Sequence, residues 1–221
     1  MEFKPKQELI KTLNYGHDFF NLDASETERL KNRVEKWHGL VRIFVHPMYE
    51  KWRGNEEQYA NDPKEVKLVQ IEQVLAKLLA MPKEKTPPII IMEEAVYVSK
   101  LQGWLKENLA GLSQGGVYFV KTIPNSPTPQ LEGENNREVW DKLIKALDDC
   151  GVKKILMGGM RLEVSSYKHD WTLKNPYVSR CVGIALSYLS KDKAGKFEVE
   201  LSGLTDPGSE RIRYNSLKQK S

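Results

Sequence analysis

The sequence predicts an α/β fold: a three-layer α/β/α sandwich on a mostly parallel sheet of about five or six strands, with N-terminal helices ahead of it. Two observations carry this expectation. From residue 40 onward short apolar, β-branched runs alternate with longer segments of helical period, which is the alternation that βαβ units require. The runs are almost continuously apolar, as strands of a parallel sheet covered on both faces must be, and right-handed crossovers between them follow.

Leu9, Ile10 and Leu13 share one helical face. A second helix opens at Ser25, with Glu28 at capping-box distance, and Leu30, Val34 and Trp37 form its apolar stripe before Gly39 stops it. The strands are 40–46 (LVRIFVH), 88–92 (PIIIM), 117–121 (VYFVK), 154–157 (KILM) and 197–201 (FEVEL). Helices lie between them. Asp62-Pro63 starts one carrying Val66, Val69 and Val74, Ser99 precedes LQGWLKENL, Asn136 precedes the stripe Val139, Leu143 and Leu147, and Asn175-Pro176 opens one with Val182, Ala185 and Leu189. The Pro-rich loop after the third strand, TIPNSPTPQLEGENN, has the length of a lid or binding segment.

These elements divide the chain into an N-terminal helical extension (1–39) packed on the core, an α/β core (40–207) and a C-terminal tail (208–221). At 221 residues the chain can bury one self-sufficient hydrophobic core. No apolar run approaches the ~20 residues of a membrane span, and no apolar segment follows the charged start, so no membrane partner is expected. Two cysteines, Cys150 and Cys181, are too few for a secreted disulfide framework. A reducing cytoplasm is the expected compartment. The net charge of +4 is interspersed rather than clustered, apart from the tail RIRYNSLKQKS. That distribution argues against nucleic acid as a partner. His17, His38 and His169 make no ligand spacing, so no metal is expected, and nothing calls for a cofactor. The expected partner is a small-molecule ligand, and the chain is compatible with a homo-oligomer.

In open parallel sheets ligands bind beyond the carboxyl ends of the strands. The residues there are His46, Pro47 and Tyr49 after the first strand, Glu93 and Glu94 after the second, Lys121 after the third, and Gly158, Gly159, Arg161 and Glu163 after the fourth; Cys181 lies on the last long helix. Tyr49 and Trp52 could wall a pocket for a planar ligand. Glu93 and Glu94 face opposite ways on a strand, so one pocket receives at most one of them. Gly158-Gly159 lets backbone approach an anion or simply makes a tight turn.

The segments FVK (119–121), GVKKILMGG (151–159), RCVGIALSYL (180–189) and KFEVELSGLTDP (196–207) together resemble the isochorismatase-like cysteine hydrolases. In that superfamily an Asp follows the first strand, a Lys ends the third and a Cys heads the helix after the fourth. The resemblance implies a hydrolase of a small amide or ester, with Cys181 as nucleophile, Lys121 as the cation that favours its thiolate and His46 as the base. Where the superfamily carries its Asp, this chain has Val45-His46-Pro47, so His46 or Glu50 takes the place of the proton acceptor. The insertion RLEVSSYKHDWTLKNPYVSR replaces a tight turn, and a helix opening at Pro176 puts Cys181 in its second turn, where the helix dipole has faded. A catalytically degenerate member is one form of this reading.

Burial alone also accounts for Cys181, which shares a helical face with Val178, Ala185 and Leu189, and for Cys150. Two other classes of function stay open. One is a non-catalytic Rossmann-like protein that binds a nucleotide or anionic metabolite through Gly158, Gly159, Lys121 and Arg161. The other is a protein-interaction module built on the N-terminal helices and the basic tail.

Overall fold

A computed structural model describes residues 16–47, 85–108, 117–124, 126–159, 163–164, 178–179, 181–192 and 195–204. The expected helix after Asp62, the stripe Leu9–Leu13, and Tyr49, Glu50, Trp52, Arg161 and the C-terminal tail lie outside the described residues.

The chain forms one six-stranded, all-parallel sheet with four α-helices among the described residues. Its elements are β1 (His17–Asp18), α1 (Ala24–Lys36), β2 (Leu40–Val45), β3 (Ile89–Glu94), α2 (Ala95–Asn108), β4 (Val117–Thr122), α3 (Asn136–Asp149) and β5 (Lys154–Gly159). They continue with β6 (Glu163–Val164), β7 (Val178–Ser179), α4 (Cys181–Leu189) and β8 (Glu198–Leu204). The strand order is β1-β4-β3-β2-β5-β8. The chain therefore builds outward from β2 through β3 to β4, then returns to the other side of β2 to lay down β5 and β8. The junction between β2 and β5 is the topological switch point, the crevice where open α/β sheets bind ligands.

The five long strands lie where their apolar runs predict. The differences have local causes. The segment ahead of residue 40 also supplies an edge strand, since His17 and Asp18 run parallel to Tyr118 and Phe119 of β4. Helix α1 is capped by Asp23, whose side chain accepts from the Glu26 N–H at 2.8 Å, rather than by Ser25. Gly39, at φ +83°, ends α1 by donating to Val34 O at 2.8 Å. The complete capping box of α3 is Asn135 with Glu138, one residue earlier than Asn136 suggests. Helix α2 begins at Ala95, directly after β3, not at Ser99.

The correction that matters most concerns α4. Asn175-Pro176 does not open it: Val178 and Ser179 pair antiparallel with Val164 and Glu163 in a separate two-stranded sheet, and the helix begins at Cys181.

Strand alternation sorts the core. Val41, Ile43 and Val45 of β2, Ile90 and Met92 of β3, Tyr118 and Val120 of β4, and Ile155 and Met157 of β5 pack with Leu30 and Val34 of α1, Trp140, Leu143 and Leu147 of α3, and Val182, Ala185 and Leu189 of α4. Trp140 and Tyr188 stack across α3 and α4, their rings 4.7 Å apart and 3° from parallel, a contact that adds to the area the two rings bury. Phe119 and Lys121, of the other parity on β4, share a cavity with Ala95, Val98 and Ser99 of α2. No helix among the described residues is long and apolar enough to cross a membrane.

Candidate functional site

β2 reaches the carboxyl edge of the sheet at Val45, and the next residue leaves the extended conformation. His46 has φ +48°, a left-handed backbone that costs a non-glycine residue about 1–2 kcal/mol. Its N–H still donates to Met92 O at 2.8 Å, so the residue stays anchored to β3. Its side chain is completely buried. Nδ1 lies 3.2 Å from Cys181 Sγ, and Nε2 lies 2.9 Å from Thr122 Oγ1. A strained, buried histidine thus bridges a cysteine from α4 and a threonine from β4.

Each partner is delivered by a separate piece of the fold. Thr122 is the last residue of β4 and shares the parity of Tyr118 and Val120, which carries it to the side of the sheet where α4 packs. It is completely buried, and an isolated antiparallel bridge to Pro129 holds it from beyond the strand. Cys181 is half-buried and opens α4. The first turn of a helix carries N–H groups without intrahelical acceptors and the positive end of the dipole, both of which favour a thiolate. Neither Cys181 nor Cys150 forms a disulfide.

The remaining candidates fall as follows. Gly158 and Gly159 make no turn; they are the last two residues of β5, in register with Phe44 and Val45. At Gly159, φ is +131° and a Cβ would come within 2.1 Å of Val45 O. Its lack of a side chain serves the close approach of β5 to β2, beside His46. Glu93 is completely buried, with Oε1 accepting from the Glu94 N–H at 3.0 Å; Glu94 is also buried and stands in register with Thr122. Tyr49 and Arg161 lie outside the described residues.

Lys121 does not join Cys181 and His46. One residue before Thr122, it takes the opposite parity, is exposed, and pairs with Asp18 at 2.8 Å across the β4–β1 edge. It lines a cavity of about 380 Å³ with His17, Asp23, Glu26 and Ser99. There His17 and Glu26 pair at 3.3 Å, and Arg29 pairs with Glu26. The loop after β4 folds back on its own strand: Ile123 N–H donates to Thr128 O, Gln130 N–H donates to Lys121 O, and Pro127, Thr128 and Pro129 are buried.

Thr122 is the site residue that sequence reasoning misses. The strand's signal ends at the first charged residue, Lys121, yet β4 continues one step further, and period-two alternation then turns Thr122 toward His46. Among the described residues no group of three or more His, Cys, Asp or Glu side chains is placed to hold a metal ion.

The fold and the site define an α/β protein with a cysteine–histidine–threonine chain at the switch point of a parallel sheet. No protein-family model matches the chain, and no curated protein is significantly similar to it.

Proposed function

We propose that this protein is an isochorismatase-like hydrolase that cleaves a small amide or ester through Cys181. The observation that carries the reading is the 3.2 Å approach of His46 Nδ1 to Cys181 Sγ at the first residue of α4. A cysteine attacks a carbonyl only as thiolate, and a buried imidazole in contact with the sulfur is the group that takes its proton.

The reaction runs as acyl transfer. Sγ–H gives its proton to His46 Nδ1, and the thiolate adds to the substrate carbonyl. N–H groups of the first turn of α4 stabilise the oxyanion that forms. Collapse of the tetrahedral adduct expels the amine or alcohol, which takes the proton from His46 and leaves a thioester on Cys181. Water, deprotonated by His46, hydrolyses the thioester, releases the acid and restores the thiol.

The role the sequence resemblance gives to Lys121 passes to the helix terminus, because Lys121 is held by Asp18 on the other side of the sheet. The competing reading, a non-catalytic binder of a nucleotide or anionic metabolite, draws on the five long strands β4-β3-β2-β5-β8, whose order is the 3-2-1-4-5 found in dinucleotide-binding sheets, with β1 added at one edge. It loses support where Gly159 is committed to packing on Val45.

The test is a panel of small amides and esters assayed with wild type and Cys181→Ala. Hydrolysis lost in the variant while its circular dichroism matches wild type supports the reading. Hydrolysis retained without the thiol removes it.

A further inference from the structure

A neutral imidazole carries one N–H and one lone pair, and which nitrogen holds the proton is decided by what the two nitrogens touch. If Nδ1 is to take a proton from Cys181, its lone pair must face the sulfur and the ring proton must sit on Nε2. That N–H then needs an acceptor, because His46 is completely buried and an unsatisfied N–H there costs about 1–3 kcal/mol. Among the described residues, Thr122 Oγ1 is in reach of it, at 2.9 Å.

We infer that Thr122 is a positioning residue that holds His46 in the tautomer protonated on Nε2, so that Nδ1 is the acceptor facing Cys181; its bearing on catalysis rests on the hydrolase reading above. The hydroxyl accepts from Nε2–H in the neutral ring and keeps the same bond when His46 becomes imidazolium. Nothing need reorient as the proton arrives. Threonine suits the task because branching at Cβ restricts χ1, and the strand end is pinned on both sides by its register with Glu94 and its bridge to Pro129.

Among the described residues, the charged groups at this edge come from β3 and β4: Glu94 is buried and in register with Thr122, Glu93 is buried but shares the opposite parity with Lys121, which is paired to Asp18, Gly158 and Gly159 bring no charge from β5, and α4 has none after Cys181. A charged neighbour closer to one ring nitrogen would also bias where the proton sits, so the tautomer is compared with Thr122 present and replaced: a bias set by the hydroxyl is lost in Thr122→Val, and one set by a neighbouring charge is kept.

The test combines nitrogen-15 spectra of the histidine rings with alkylation of Cys181. In Cys181→Ser, whose hydroxyl stays neutral where the thiol would be a thiolate, the signals of neutral His46, identified by their loss when His46→Gln is added, should show Nε2 protonated and Nδ1 bare, and adding Thr122→Val should abolish that preference. A ring protonated on Nδ1 in Cys181→Ser overturns the inference, and because that variant keeps Thr122 the result stands even if no Thr122 variant folds. In Thr122→Val, alkylation of Cys181 by iodoacetamide at pH 7 should slow about tenfold, and Thr122→Ser should stay within about twofold of wild type, the scale of a shift near one pKa unit against one well below it. A valine variant as fast as wild type, or a serine variant as slow as valine, also overturns it. Hydrolysis that survives Cys181→Ala removes the hydrolase reading instead, whatever the tautomer.

Discussion

His46 and Cys181 stand 135 residues apart in the chain, yet their Nδ1 and Sγ atoms lie 3.2 Å from each other. Three devices bring them together. β2 and β5 are adjacent at the switch point, Gly159 lets β5 close on Val45 without a side chain between them, and the short β6–β7 pairing delays the last helix until Cys181 is its first residue.

Gly159→Ala should lower the free energy of unfolding by about 3 kcal/mol, because a Cβ at φ +131° is strained and meets Val45 O at 2.1 Å. Chemical denaturation read by tryptophan fluorescence gives the value. A loss below about 0.5 kcal/mol, the range of ordinary surface substitutions, would show that β2 and β5 have room to spare.

Lys121→Met should act on the β1 edge and not on the thiol. The Lys121–Asp18 pair is partly exposed, with the lysine 47% and the aspartate 25% accessible, so its removal should cost under about 1 kcal/mol. Alkylation of Cys181 at pH 7 should stay within about twofold of wild type, since one added or removed surface charge is heavily screened. A tenfold slowing would instead show that the lysine reaches the sulfur, as the superfamily resemblance implies.

Stability should fall at alkaline pH. Burial raises the Cys150 thiol and the Tyr118 phenol above their ordinary values, the latter against the opposing pull of Arg33. Hydrogen bonds to Glu200 and Glu198 raise Lys154 above 10.5. In each case the folded protein keeps its proton longer than the unfolded chain. The associated stability is therefore complete below the unfolded values and is lost as pH climbs through the folded ones. Urea denaturation at pH values from 8 to 11 should show the decline, and Tyr118→Phe should make it shallower above pH 10. An unchanged slope would mean that the phenol ionises as easily in the folded protein as outside it.

Much of the fold was legible because its signals are local. Short, near-continuous and β-branched runs such as LVRIFVH and PIIIM read as covered strands, and the five strands of the sheet begin and end within a few residues of the five runs. The errors arose where long-range pairing decides. His17-Asp18 carries no period and becomes a strand only because Tyr118 and Phe119 lie beside it. Asn175-Pro176 is a good helix start by composition, but pairing of Val178 and Ser179 with the segment at 163–164 claims the residues that follow.

The site was legible as a location rather than as a geometry. His46 and Cys181 could be placed at one edge of the sheet from their positions after the strands. Their contact could not, because it depends on the left-handed turn at His46 and on the late start of α4. Lys121 was the better candidate by residue type and Thr122 the better one by parity, and a strand ending one residue later exchanges their roles.

The central claim is that His46 activates Cys181, and the measurement that tests it most directly is the pH dependence of Cys181 alkylation in wild type and His46→Ala, read peptide by peptide with buried Cys150 as the internal control. Wild-type Cys181 should react as a thiolate well below the unperturbed thiol value of about 8.5, and the variant should return to that value or above it. A wild-type Cys181 that titrates near the unperturbed value, with a profile unchanged by loss of the imidazole, would contradict the account.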